Sequence, residues 1–265
     1  MPSSLPVTGR PPHPARLPRS LGAIVTAAGP QMSAVLNDLA LPTFTRYAEQ
    51  WGWTVLAEDL SYDGAGAGPA AQQAKWRKVS LLREALQHHP MAWWIDADVL
   101  VLRTDDDVRR HLHPDHFQAL ALEHVPSEHR VNPNTGVWLL RSCPQAFAFL
   151  DAVEAAGPQP GPWADQGAVL AALGWGRGDA QHHWAGPGQG SDFLAGTSWL
   201  PPGWNQPYLG TRRDDECFNS AAQSYTDRPQ VPEPHALHFM EMSPAARYRT
   251  MAAAAARAAE PLAAG

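Results

Sequence analysis

The segment Met91-Ala-Trp-Trp-Ile-Asp-Ala-Asp-Val-Leu-Val-Leu102 constrains this chain more than any other. Two acids, separated by one small residue, stand between two apolar runs. The first run has the length and character of a strand buried on both faces, as in a parallel sheet. A carboxylate pair set in apolar chain is costly to bury without a partner. An isolated Asp-x-Asp often does no more than cap a turn, but the apolar run on each side argues for more here. In open α/β sheets, ligands bind outside the carboxyl ends of the strands. Carboxylates at such an end can hold a divalent cation, which in turn can bridge two phosphate oxygens.

The surrounding pattern supports such a sheet. Leu21–Ala28 is a short apolar run closed by Gly29-Pro30, and Trp53–Ala57 reads as a second strand. Between them, Gln31–Gln50 carries helical spacing, with a break expected at Pro42. Ser61–Gly68 reads as a Gly-rich loop, and Ala70–His88 as a helix with Leu81, Leu82 and Leu86 on one face. This alternation predicts a parallel, doubly wound arrangement. Further on, Phe117–Leu122 and Val137–Leu140 read as strands, and Gln145–Ala155 and Trp163–Leu173 as helices. Gly174–Pro207, rich in Gly, Pro, Trp and His, is expected to be a long functional loop region. Ala236–Met240 reads as a short last strand and Pro244–Ala259 as a terminal helix.

Composition narrows the partners. The 265 residues suit one large domain, and 17% charged with 44% hydrophobic residues marks a globular chain. A net charge of -6 gives no reason to expect nucleic acid or an anionic membrane. No apolar run approaches the roughly 20 residues needed to span a bilayer. Residues 1–20 hold three arginines and several prolines without an apolar core, so a flexible tail is expected rather than a secretory signal. Two cysteines, Cys143 and Cys217, are too few for a disulfide scaffold, and a reducing, cytoplasmic setting is expected. Eleven tryptophans suit core packing, and equally the faces of sugar rings.

Four further blocks carry polar residues that chemistry could use. Trp76-Arg-Lys78 leads to Arg83 and then His89-Pro90; alone, Lys78 and Arg83 read as a solvated helix face. Asn134-Thr-Gly136 precedes an apolar strand, and its glycine would permit close backbone approach; an ordinary turn has the same pattern. Trp163-Ala-Asp165-Gln166-Gly167 opens a helix, where Asp165 could serve only as a cap. His235-Ala-Leu-His238-Phe239 places a histidine late in the chain.

Taken in order, from Trp76 to Phe239, these blocks resemble glycosyltransferase family 34, the galactosyl, xylosyl and mannosyl transferases. The resemblance implies a GT-A fold: α/β, Rossmann-like, with a mostly parallel central sheet flanked by helices. It implies one domain over residues 21–260, with a nucleotide-binding half at 21–105 and an acceptor-binding half at 106–260. It implies a metal, Mn²⁺ or Mg²⁺, held by Asp98 and His238 with Asp96 beside them. A UDP- or GDP-sugar donor would meet Thr26, Ala27, Lys78, Asp96, Ala97, Asn134 and Gly136. Asp165 and Gln166 would lie at the anomeric carbon, and Trp163 and Trp204 at a carbohydrate or small-molecule acceptor. Transfer to a hydroxyl with retention is the expected reaction, in a soluble bacterial-type relative. One departure stands out. The family usually continues from its late histidine to a glycine that meets the diphosphate, and this chain reads His238-Phe-Met-Glu241.

Two other classes fit part of the pattern. A nucleotidyltransferase that makes the activated sugar would also need metal and phosphate sites. It normally carries a basic Gly-rich loop after its first strand, and Thr26-Ala-Ala-Gly-Pro30 has no basic residue. A non-catalytic sugar-binding module would use the tryptophans but would not need Asp96, Asp98 and His238 together.

Overall fold

The computed structural model describes residues 21–60, 69–125, 130–159, 163–177, 184–208, 231–240 and 242–259. The expected tail at 1–20, the loop at 61–68, Cys217 and Glu241 lie outside them. A six-stranded sheet runs in the order β2-β1-β3-β6-β5-β9. Its strands are β1 (Ala23–Ala28), β2 (Thr54–Asp59), β3 (Met91–Ile95), β5 (Gln118–Val125), β6 (Arg130–Arg141) and β9 (Thr197–Leu200). The β1–β2, β1–β3 and β5–β9 pairs are parallel, while β6 is antiparallel to both its neighbours. Five of the six strands therefore point the same way, and the expectation of a mostly parallel sheet holds.

Side chains alternate across this sheet and build a core on each face. Ala23, Val25, Ala92, Trp94, Trp138 and Leu140 face one side. There they meet α3 (Pro69–His88), α4 (Pro144–Ala156) and α5 (Ala164–Ala172). Ile24, Trp93, Ile95, Val137 and Leu139 face the other side. That layer holds α1 (Pro30–Val35), α2 (Leu41–Trp51) and the terminal helix, whose Met251 and Ala254 are buried there. Burial on both faces explains why β1 and β3 read as unbroken apolar runs. Trp93 is fully buried against Tyr47, Trp53 and Trp204, with ring centroids 5.1, 5.9 and 5.8 Å away.

Two sequence expectations change. The chain does not break at Pro42. It stays helical through a π-helical turn, Leu36–Ala40, and Pro42 falls in the first turn of α2. Proline has no N–H to give the helical ladder, and the π-helical turn just before it takes up the interruption without ending the helix. Nor is Gly174–Pro207 one long loop. It holds β7 (Trp175–Arg177), β8 (Trp184–Pro187), the short α6 (Asp192–Ala195), the edge strand β9 and β10 (Gln206–Pro207). These strands are only two to four residues long, too short for a period to show.

A second, three-stranded sheet makes the site. β4 (Val99–Val101) pairs antiparallel with β11 (Ala236–His238), which pairs parallel with β10. The register sets His238 opposite Val99, directly after the acid pair. The terminal helix, α7 (Pro244–Ala259), then crosses back over α1.

Candidate active site

Asp96 and Asp98 lie in the turn between β3 and β4, at the carboxyl end of β3. The backbone N–H of Asp96 donates to the carbonyl of Gly136, and that of Phe239 donates to the carbonyl of Asp98, so both neighbouring strands fix the turn. One ligand atom from each of Asp96, Asp98 and His238 falls within 4.8 Å of the others. His238 Nε2 is 3.2 Å from Asp98 Oδ1 and 3.9 Å from Asp96 Oδ2. The three side chains expected to hold a metal are thus brought together.

Asp96 is held from the side of α3. Trp94 Nε1 donates to its Oδ1 at 2.5 Å, and Lys78 Nζ stands 3.3 Å from the same oxygen. Lys78 is buried and does not form part of a solvated face. Its ammonium is 2.9 Å from Asp165 Oδ2 and donates to the carbonyl and hydroxyl of Thr135, each at 3.2 Å. Burial opposes the charge on Lys78, but Asp165 and Asp96 outweigh it and hold the ammonium above the ordinary lysine value. Thr135 also donates to Asp165 Oδ2, at 3.2 Å. Asp165 therefore does not cap α5; it is buried and turned to Lys78. It follows Ala164, whose φ of 46° is a left-handed backbone that costs a non-glycine residue on the order of 1 kcal/mol.

Asp98 is held from the C-terminal side. Arg247 Nε, on α7, lies 3.3 Å from Asp98 Oδ2 and also donates to the carbonyl of Phe239 at 2.9 Å. Burial alone would push the Asp98 carboxyl up. His238 and the Arg247 guanidinium reverse that and hold it down, at about 2.

Behind His238 runs a chain of amides. His238 Nδ1 meets Asn205 Oδ1 at 2.9 Å, and Asn205 Nδ2 donates to Asn134 Oδ1 at 2.8 Å. Asn134 Oδ1 also accepts the backbone N–H of Gly136 at 2.8 Å, while its Nδ2 donates to Glu123 Oε2 at 2.6 Å. Glu123 Oε1 accepts from Gln166 Nε2 at 3.0 Å. The register of β5 against β6 jumps from Leu120↔Trp138 to Ala121↔Asn134, a bulge that releases Thr135, Gly136 and Val137 from pairing with β5 and brings Thr135 and Gly136 to the site. A Cβ at Gly136 would lie 2.4 Å from His238 Cε1, so the glycine makes room for the histidine ring.

The other expected site residues are placed as follows. Ala97 is buried in the turn, and Thr26 and Ala27 lie at the carboxyl end of β1. By the parallel register Ala27 comes level with Asp96. Thr26 Oγ1 is buried without a hydrogen-bond partner. Trp163 is partly buried against Leu170, Trp175 and Trp184. Trp204 is not brought to the site: it is 1% exposed, stacked on His235 and packed on Trp93. Trp184 is buried as well, and Trp199 on β9 is the one exposed tryptophan among the described residues. Glu123, Thr135, Asn205 and the Asp98 contact of Arg247 escaped sequence reasoning. Glu123 left one signal, an acid directly after the apolar run Ala119–Leu122; Asn205 and Thr135 left none.

Comparison with known proteins places this geometry. Residues 43–137 match the galactosyl transferase GMA12/MNN10 family. Among curated relatives, "Probable glycosyltransferase 7" of Oryza sativa subsp. indica is 38% identical over 103 residues, covering 36% of this chain and 23% of the relative. "Glycosyltransferase 6" of Arabidopsis thaliana is 26% identical over 161 residues, 55% of this chain and 35% of the relative. The chain thus spans about a quarter to a third of the length of these relatives. Among solved structures, a glycosyltransferase involved in glycosylation of the major capsid of PBCV-1 aligns with a TM-score of 0.57 at 14% identity, covering 87% of this chain and 98% of that one. The bifunctional WbbM glycosyltransferase aligns with a TM-score of 0.51 at 12% identity over 91% of this chain and 50% of the other. The class is therefore defined by fold: this is a chain of the GT-A glycosyltransferase fold. Over residues 43–137, which include the acid pair, it is similar to the galactosyl transferase GMA12/MNN10 family.

Proposed function

We propose that this chain is a metal-dependent glycosyltransferase that moves a hexose or pentose from a UDP- or GDP-sugar to an acceptor hydroxyl with retention. The observation that carries the reading is the convergence of Asp96, Asp98 and His238 at the carboxyl end of the sheet. Their donor set, two carboxylates and one imidazole, suits Mn²⁺ or Mg²⁺. The surroundings fit a cation too. His238 Nδ1 is committed to the Asn205 carbonyl oxygen, so Nε2 faces Asp98 and Asp96 and calls for a positive centre between them. When bound, the ion supplies charge to offset the leaving diphosphate.

The chain's own residues account for positioning. Thr26, Ala27 and Ala97 line the end of β1 and the turn where a nucleotide would lie. Lys78 holds Asp165 and Asp96 in one rigid ion-paired unit, and Glu123 holds Gln166. Asp165 and Gln166 would flank the anomeric carbon and stabilise an oxocarbenium-like state. An Asp165 carboxylate tied to an ammonium at 2.9 Å is a weak nucleophile, which favours attack by the acceptor from the leaving-group face over a covalent intermediate. Asn134 would act on the donor only through the Gly136 turn that it holds, and Trp163 would border the acceptor. No helix among the described residues is long and apolar enough to cross a membrane.

The test is calorimetric titration with UDP and GDP, with and without Mn²⁺, on the native chain and on Asp98→Ala. Metal-dependent binding that the substitution abolishes is expected. Metal-independent binding, unchanged in the variant, would overturn the reading. Turnover of a sugar phosphate with a nucleoside triphosphate would favour a nucleotidyltransferase, and binding without turnover of any UDP- or GDP-sugar a sugar-binding module.

A further inference from the structure

We propose that Asn205 is a positioning residue that keeps a proton on His238 Nδ1 and so reserves Nε2 for a cation; this rests on the metal reading above. The polarity follows from one backbone group. The Gly136 N–H can only donate, so the side-chain atom of Asn134 that meets it at 2.8 Å is the carbonyl oxygen. That oxygen can only accept, so the Asn205 atom 2.8 Å away is the amide nitrogen. The other end of the Asn205 amide, 2.9 Å from His238 Nδ1, is then an acceptor, and Nδ1 must carry the proton. Every amide along this line has one allowed orientation.

The far end agrees. Asn134 Nδ2, turned away from Gly136, finds a carboxylate oxygen of Glu123, and the other oxygen of the same carboxylate takes the amide of Gln166. Glu123 thus orients two amides, one leading to His238 and one on α5. Asn134, Asn205 and Glu123 are all buried, so water does not compete for these bonds. A metal-binding histidine is generally oriented by a partner on its other ring nitrogen, and loss of that partner costs about 10- to 100-fold in metal affinity. Here the partner is a neutral carbonyl and not a carboxylate, and its orientation is enforced from β6.

The inference is tested on the full chain by ¹⁵N NMR of histidine ring nitrogens, with His238 assigned by its disappearance in His238→Gln. A proton on His238 Nδ1 is expected in the metal-free protein and with saturating Mg²⁺; a bare Nδ1 in either form overturns the proposal. Mn²⁺ titration of two variants gives a second readout. Asn205→Asp keeps an acceptor for Nδ1 but gives up the donor to Asn134 Oδ1, and should still bind Mn²⁺ more tightly than a variant with no acceptor. Asn205→Leu, close in size but without an acceptor, should bind about 10- to 100-fold more weakly. Equal affinities in the two variants would reduce Asn205 to packing and overturn the proposal. A native chain with protonated Nδ1 that takes up neither Mn²⁺ nor Mg²⁺ would sink the functional reading and leave the relay standing.

Discussion

Asp96 and Asp98 stand two residues apart, yet they belong to different halves of the chain. Asp96 is fixed by Trp94 and Lys78, both within 18 residues of it. Asp98 is fixed by His238 and Arg247, which arrive about 140 residues later through β11 and α7. The first set rides on one strand and the helix before it. The second requires the small sheet to form, because β11 carries His238 to the turn only after pairing with β4. One motif is therefore a junction between a locally built arm and a remotely built arm, and breaking each arm should give a different signature.

The largest effect is expected in the local arm. Lys78→Met removes the one cation between two acids and leaves Asp165 buried and unpaired. Removing one partner of a buried ion pair typically costs about 3–5 kcal/mol. Chemical denaturation should show a loss of that order, and Lys78→Met combined with Asp165→Asn should recover part of it. A loss under 1 kcal/mol in the single variant would mean that the arm is not held by this charge.

In the remote arm, Gly136→Ala should cost about 3 kcal/mol, the upper range for overpacking a fixed core. The new Cβ would meet His238 Cε1 at 2.4 Å, and the ring cannot yield because both its nitrogens are engaged. This change should weaken Mn²⁺ binding by moving His238 while Lys78, α3 and α5 stay in place. Melting curves and Mn²⁺ titration on the same preparation separate the two outcomes.

The asymmetry between the arms also explains what could be read from sequence. The first half alternates strand and helix at short range, so β1, β3 and α3 fall close to where the pattern puts them. The acid pair, Lys78, Asp165 and His238 are legible as candidates because they stand in ordered blocks. Asn205 and Thr135 are not, since each acts through hydrogen bonds to residues far away in sequence. Trp204 misled for the opposite reason: tryptophan suits a sugar face and a core alike, and only packing against Trp93 and Tyr47 decides between them. The bulge in β6 is a register property and leaves no residue signature beyond its glycine.

Acid should act mainly on the remote arm. The Asp98 carboxyl is held at about 2 in the folded chain, against an ordinary value of 3.8. A depressed carboxyl contributes stability above its unfolded value, and that contribution is lost as pH falls through the folded one. Between about pH 4 and pH 2, in chelator, Asp98 should account for a loss on the order of 2 kcal/mol. Asp98→Asn should lack that segment of the stability curve. An identical acid limb in the variant would show that His238 and Arg247 do not hold the carboxylate.

The smallest effect belongs to Arg83, five residues beyond Lys78 and one of the residues through which the sequence resembled family 34. The structure turns it away from the acids. Its guanidinium lies 2.7 Å from Asp151 and 2.9 Å from Glu154 on α4, two partners with side chains 68% and 45% exposed. Pairs of that kind contribute about 0–1 kcal/mol, and salt screens them. Arg83→Ala should therefore cost under about 1 kcal/mol, less still at high salt, and should leave Mn²⁺ and UDP or GDP affinity unchanged. Lys78 and Arg83 lie on one helix, but only Lys78 points into the cleft between β3 and α5. A nucleotide affinity that falls in Arg83→Ala would mean that α3 reaches the ligand along its length, and the local arm would extend beyond the single ion-paired unit around Lys78.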